Sequence, residues 1–281
     1  LRPLAVHFDN GWNSELSVMN IENTVKKLDI DLQTHVMDWE QFRDLQVAFL
    51  KSSTPHTEAP TDHGLRACLY DAALKHGIKH ILVGTNVFTE GILPTEWGYG
   101  NGDWKYIQHI HRRFGDGSPL SSYPRYTMLK LAYIVGVKRI QRISILNYLD
   151  YNKNAALKEM KEKLDYREYA GKHYESIFTR FFQGYILPEK FNYDKRRAHY
   201  SVLIVSGQLT RGEAVEKLKG PTYEPELMAE DEEFVTKKLE LSADEWRAIM
   251  KAPRKCSDEY PNSKWIFRTL MPMFHAIKKF T

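Results

Sequence analysis

Across residues 1–83 short apolar runs alternate with stretches of helical periodicity, and this alternation restricts the chain to βα units around a mostly parallel sheet. Residues 4–8 read as a strand. Asn13 or Ser14 can cap a helix on which Val18, Ile21, Val25 and Leu28 recur at helical spacing. Residues 30–36 alternate as a second strand, and Phe42, Leu45 and Phe49 mark a second helix. A polar stretch with two prolines, residues 52–63, is expected to be a loop. Leu65, Leu69 and Ala72 define a third helix that Gly77 ends, and residues 81–83 form the next strand.

From residue 84 to 124 the pattern turns irregular and rich in glycine and aromatics, with one short helix expected near residues 105–114. Long loops in a compact enzyme are usually functional. Beyond about residue 147 the periodicity is helical. Ala156, Met160 and Leu164 share a face, as do Ile177, Phe181 and Tyr185. Thr210-Arg211-Gly212-Glu213 and Ser242-Ala243-Asp244-Glu245 have the form of capping boxes. The expected division is an α/β nucleotide-binding domain over residues 1–146 and a helical substrate or partner region over 147–281. Residues 265–280 are expected to close the chain as a helix on its own core, bent at Pro272.

At 42% hydrophobic residues the chain can bury a sizeable core, and 40 basic against 36 acidic residues give a mild net charge of +4. That balance favours an anionic small ligand over a nucleic-acid groove. Two cysteines, Cys68 and Cys256, make neither a disulfide framework nor a complete thiolate metal site, so the reducing cytoplasm is the expected compartment. No stretch is long and apolar enough to span a bilayer. The chain enters a strand-like run without a methionine, which points to residues upstream.

Ligands of α/β sheets bind at the carboxyl ends of the strands, and two such ends carry chemistry here. Gly84-Thr85-Asn86-Val87-Phe88-Thr89-Glu90 offers close backbone approach, a hydroxyl, an amide and a carboxylate able to hold a cation. His7-Phe8-Asp9-Asn10-Gly11-Trp12 would open on the same edge, with an adenine between backbone groups of Phe8, Asp9 and Asn10. The competing explanation for both is a turn that bonds only its own amides. The stretch from His56 to His63 gathers Glu58, Asp62 and two imidazoles suited to proton transfer at neutral pH, while Asp62 could equally cap the next helix. Lys105, Arg112 and Arg113 are candidate phosphate contacts, with a solvated basic helix face as the alternative. Lys172, His173, Glu175, Thr179 and Arg180, followed by Asp194-Lys195-Arg196-Arg197-Ala198-His199, suit an anionic, hydroxyl-rich substrate. Surface salt bridges are the competing explanation there.

Taken together, residues 7–12, 84–90, 97–115 and 171–183 resemble the N-acetyl sugar amidotransferases of surface-polysaccharide (LPS O-antigen) biosynthesis. These belong to the pyrophosphate-loop ATP-utilising enzymes, relatives of NAD synthetase and GMP synthetase. The phrases Val6-His7-Phe8-Asp9-Asn10-Gly11-Trp12-Asn13 and Arg180-Phe181-Phe182-Gln183-Gly184-Tyr185 carry the likeness most clearly. The resemblance implies an adenine-nucleotide alpha-hydrolase-like sheet with ATP and Mg2+ at the strand ends. An N-acetyl group of a nucleotide-linked sugar would be adenylated and its oxygen replaced by ammonia, giving an acetamidino sugar.

By that resemblance Phe8, Asp9, Asn10, Gly84, Thr85 and Asn86 would hold the nucleotide, with Lys105, Arg112 and Arg113 on its phosphates. Glu90 would hold magnesium, and Asp62, His63 and Glu90 would serve catalysis. Lys172, His173, Glu175 and Arg180 would meet the sugar nucleotide. Separate glutaminase and ammonia-channel subunits are implied as partners, since no glutaminase nucleophile is recognisable. The family's Ser-Gly-Gly-x-Asp-Ser phosphate loop does not occur in this sequence, and neither does its N-terminal zinc-binding cysteine cluster. Truncation is the expected reason for both, with a degenerate relative of the family as the alternative. If the sequence were the whole polypeptide, it would not hydrolyse ATP alone. Amidation of a sugar carboxylate, tRNA modification and a nucleotide-binding scaffold are the alternatives.

Overall fold

The computed structural model describes residues 2–266 and Thr269, so the expected terminal helix lies almost wholly outside the described residues. The architecture is mixed α/β and mostly helical. Strand β1 (Leu4–Asp9) pairs in parallel with β2 (Asp31–Val36), joined by α1 (Glu15–Leu28). Ser14 caps α1 and Asp38 caps α2 (Trp39–Lys51) with side-chain oxygens. Helix α3 (Ala59–Lys75) leads to β3 (His80–Val83), which pairs in parallel with β4 (Gln141–Ser144). The single sheet expected from the alternation is thus present, among the described residues, as two parallel pairs. β4 escaped the pattern because Gln-Arg-Ile-Ser offers one apolar residue and no alternation.

Helix α3 begins inside the stretch expected to be a loop. Pro60 in its first turn has no amide to lose and a φ already suited to helix, so proline starts this helix rather than breaking it. The helix fixes the direction of both pairs. Its N-terminal Thr61 accepts from Asn10 Nδ2 at 3.3 Å, and His76, just past its C-terminus, bonds Gln33 of β2 at 3.2 Å. It therefore runs antiparallel to β1. Gly77, at φ +66°, turns the chain back into β3, whose carboxyl end returns to the end where Asp9 emerges.

Between β3 and β4 lie α4 (Val87–Glu90), α5 (Trp104–Phe114) and α6 (Met128–Ala132). The second half is helical: α7 (Lys153–Leu164), α8 (Ile177–Phe181) running into a π-helical stretch (Phe182–Phe191), α9 (Lys195–Val205), α10 (Arg211–Lys219), α11 (Pro225–Lys238) and α12 (Ala243–Lys251). Both capping boxes form as the sequence predicts, on Thr210 with Glu213 and on Ser242 with Glu245. One apolar cluster crosses the expected boundary at residue 146, joining Phe8, Trp12 and Phe42 to Phe178, Phe181, Tyr223 and Trp246. Its burial is what fastens the helical half to the strand ends.

Gly64 on α3 gives the core a sharp test. A Cβ there would stand 2.8 Å from Cζ of Phe8. The Phe8 ring already packs against Phe42 and His35, which restricts its escape. Gly64→Ala should therefore cost about 1–3 kcal/mol through overpacking. Urea unfolding checks this, and an unchanged midpoint would mean that the ring is free to move.

Candidate functional site

Two structural features meet where the parallel strands end, and a third lies beside α3. The first is a recess of about 280 Å³ lined by Asp9, Asn10, Gly11, Val36, Met37, Trp39 and Lys238, at the carboxyl ends of β1 and β2. The Lys238 ammonium lies 5.0 and 4.9 Å from the ring centres of Trp12 and Trp39 and donates to the Gly11 carbonyl. Asp9 accepts from the Gly11 amide at 2.9 Å and Asn10 from the Trp12 amide at 3.3 Å, so the local-turn explanation also holds. Phe8 contributes no side chain here because its ring is buried under Gly64.

The second feature is a polar cluster assembled from four segments. The peptide before α8 docks on the loop after β1: the Ser14 amide donates to Glu175 O and the Ile177 amide to Trp12 O, both at 2.9 Å. This carries His173, Glu175 and Thr179 to the strand ends. Thr179 Oγ1 donates to Glu58 Oε2 at 2.7 Å, while Glu58 Oε1 is sealed from solvent with no hydrogen-bond partner. Burial raises the Glu58 carboxyl from the ordinary 4.5 to about 7, aided by Asp62 and Glu175 and opposed by Thr179 and Lys195. Lys195 has its own pKa lowered by burial, while the charges of Glu58 and Asp62 hold it up.

Glu90 and Lys172 form the outer part of this cluster, 3.6 Å apart. Burial lowers the Lys172 pKa and Glu90 opposes the shift. His173 holds its backbone at φ +67° and bonds Glu175 at 3.3 Å, with the His199 ring 6.0 Å from its own. Burial and four surrounding basic groups, Lys172, His173, Lys195 and Lys153, push His199 down to about 3, so its ring is neutral.

The third feature is a cavity of about 880 Å³ beside α3, whose walls include His56, Arg66, Asn101, Tyr193, Lys255 and Lys264.

The strand-end segment after β3 is engaged locally. Asn86 accepts from the Thr89 amide as the cap of α4, and Thr85 bonds Ser144 at 3.1 Å. Gly84 has open space where a Cβ would point. Among the described residues no group of three or more His, Cys, Asp or Glu is placed to hold a metal ion. Glu90 is thus a single carboxylate paired with a lysine, an arrangement that suits magnesium only where phosphates and water complete the shell.

Several residues assigned to the site from sequence are engaged elsewhere. His63 is fully buried, stacked on Tyr126 at 4.3 Å, with Nδ1 donating to Asn101 O and Nε2 accepting from the Tyr126 amide. Burial lowers it to about 4, so it is a neutral core histidine with both nitrogens spent, not a proton-transfer group. Arg180 makes a two-pronged pair with Asp231 at 2.6 and 2.7 Å, which leaves its fork committed to α11 instead of a substrate. Arg113 lies over the rings of Phe114 and Tyr260, and Arg112 and Lys105 are exposed on α5. That is the solvated-face alternative. Glu58, Thr179, Lys195 and His199 belong to the proton-transfer and anion-binding motifs read from the sequence, and the structure brings them to Asp62, Lys172, His173 and Glu175.

Residues 175–273 match the family model of the LPS biosynthesis protein WbpG-like, C-terminal domain. The similarity supports a role in LPS biosynthesis. The WbpG-like segment carries Glu175, Thr179, Lys195 and His199 of the polar cluster, while Glu58, Asp62 and Glu90 come from the α/β region and Lys172 and His173 from just before the match. No curated protein matches the chain. No helix of the described residues is long and apolar enough to cross a membrane.

Proposed function

We propose that the chain is the substrate-activating subunit of an ATP-dependent amidotransferase acting on the N-acetyl group of a nucleotide-linked sugar. The observation that carries this reading is the meeting, at one end of parallel strands, of a base-sized recess, a carboxylate paired with a lysine, and a carboxyl with one oxygen sealed from solvent that feels the charge of the half-buried Lys195. The WbpG-like match adds the surface-polysaccharide context. In the proposed reaction the amide oxygen bonds to the α-phosphorus of ATP as pyrophosphate leaves. Ammonia then bonds to the activated carbon, AMP departs with the oxygen, and the nitrogen sheds a proton. Separate glutaminase and channel subunits would supply the ammonia.

The residues present fit parts of this chemistry. At about 280 Å³ the recess lies just below the roughly 300–1,000 Å³ of drug-sized ligand pockets, so it suits a base rather than a whole nucleotide. Glu90 would face magnesium, and Lys172 would meet charge developing on the departing phosphates. Glu58 would take the proton from the attacking nitrogen, with Thr179 holding its carboxyl in place. Among the described residues β1 pairs only with β2 and β3 only with β4, so each has an edge that a phosphate-cradling element could join.

The test is direct. The protein at its full native length, incubated with ATP, ammonia and UDP-N-acetyl sugars, is expected to release AMP and pyrophosphate and to exchange an acetamido oxygen for nitrogen. A carboxamide formed on a sugar acid would favour the alternative reaction. Sugar-independent AMP formation, or none at all, would overturn the proposal.

A further inference from the structure

We propose that the 880 Å³ cavity beside α3 binds the diphosphate-bearing end of the sugar substrate, so that the sugar reaches the Glu58 cluster along one face of that helix. The inference takes the substrate class from the amidotransferase reading; the location rests on geometry. Glu58, Asp62 and Arg66 are spaced four apart at the start of α3 and so share a face. Asn101 bridges the last two members of that stripe. Its Nδ2 donates to Asp62 at 3.4 Å and its Oδ1 accepts from Arg66 at 3.3 Å. His56, on the cavity wall, feels the charge of Lys195, and burial together with Lys264 and Lys195 lowers it to about 4, leaving it neutral.

The charges of the cavity are unevenly spent. Asp258 is held by Lys264 at 2.6 Å. Asp103 accepts from the Tyr99 hydroxyl and from the amides of Tyr106 and Ser263. Glu96 is exposed. Arg66 and Lys255 have no carboxylate partner among the described residues: the first bonds Asn101 and the second lies over the Tyr260 ring at 5.6 Å. Two cations facing a roomy cavity are what a diphosphate requires, and a guanidinium binds phosphate oxygens in pairs. Tyr193, stacked on Trp97 at 4.9 Å, gives the same wall a flat aromatic platform for a base or sugar ring.

Titration calorimetry on the full chain with UDP-N-acetylglucosamine, UDP and free N-acetylglucosamine tests the assignment. UDP and the nucleotide sugar are expected to bind, free sugar is not, and Arg66→Ala and Lys255→Ala should each weaken binding about tenfold or more, the loss of one charge-assisted contact. Arg247→Ala, which removes an exposed cation paired with Asp244, should leave binding unchanged. Thermal melts of each variant confirm folding, and the two substitutions on different segments guard against one failed variant. Absence of UDP binding by the unmodified chain, or Arg66 and Lys255 variants that bind as it does, would overturn the proposal. Binding that follows these expectations without amidine formation would instead sink the reaction and leave the cavity's assignment standing.

Discussion

Arg180→Ala is expected to lower the unfolding free energy by about 3–5 kcal/mol, the range for removing one partner of a buried ion pair. Asp231 is only 4% exposed and accepts from Arg180 Nε, from the second guanidinium nitrogen and from the Tyr223 hydroxyl. Without the guanidinium its charge stays buried with one hydroxyl for company. The hydrogen bond and charge of Asp231 hold the Arg180 pKa above its ordinary value, although burial works against them. The pair also ties α8 to α11, and the guanidinium sits 5.5 Å over the Tyr174 ring. Lysine cannot reproduce a two-pronged contact, so Arg180→Lys should recover only part of the loss. Urea unfolding at pH 7 measures both variants. A loss below about 1 kcal/mol, the level of an exposed pair, would mean that water reaches Asp231. A substrate-binding arginine would behave oppositely, raising KM with stability unchanged.

Arg180 also illustrates what was legible beforehand. Capping boxes such as Thr210 with Glu213 are local, and local hydrogen bonds are written in adjacent residues. The same holds for β1, β2 and β3, whose apolar runs place them to within about two residues. Arg180 finds its partner 51 residues further on, and nothing near it in the chain distinguishes a buried fork from a substrate clamp. His63 misled for a related reason. Helix α3 is buried around much of its circumference, with Pro60, Gly64, Cys68 and Ala72 inside as well as His63 and Ala67, so His63 belongs to the core although it adjoins the Glu58, Asp62 and Arg66 stripe. Glu58 and Lys195 were visible as residue types suited to proton transfer and anion binding. Their nearness depends on the docking of residues 175–177 against residues 12–14, a backbone event that no side-chain pattern encodes.

Glu58→Gln should reduce turnover in the proposed amidotransfer by about 10²–10⁴-fold, the usual weight of a positioned acid or base. A carboxyl raised by burial to about 7 exchanges its proton at neutral pH, which an ordinary glutamate does not. Gln keeps the shape and can still accept from Thr179, so the substitution removes the proton and little else. Stability offers a second readout that does not depend on catalysis. Because the folded pKa stands above the unfolded 4.5, the folded state holds the proton more tightly. The contribution is complete below 4.5 and is lost as pH rises through about 7. At about 1.36 kcal/mol per pH unit, the loss amounts to at most about 3 kcal/mol. The native chain should therefore weaken between pH 4.5 and 7 by an amount that Glu58→Gln does not share, leaving the variant relatively stronger at pH 8. Unfolding curves across that range, compared between the two proteins, decide it. Parallel pH profiles would mean that the Glu58 carboxyl is solvated and ionised throughout, and unchanged turnover would remove it from the chemistry. A carboxyl that weakens the fold at working pH and is needed for turnover is a cost that packing alone would not maintain, since glutamine fills the same space.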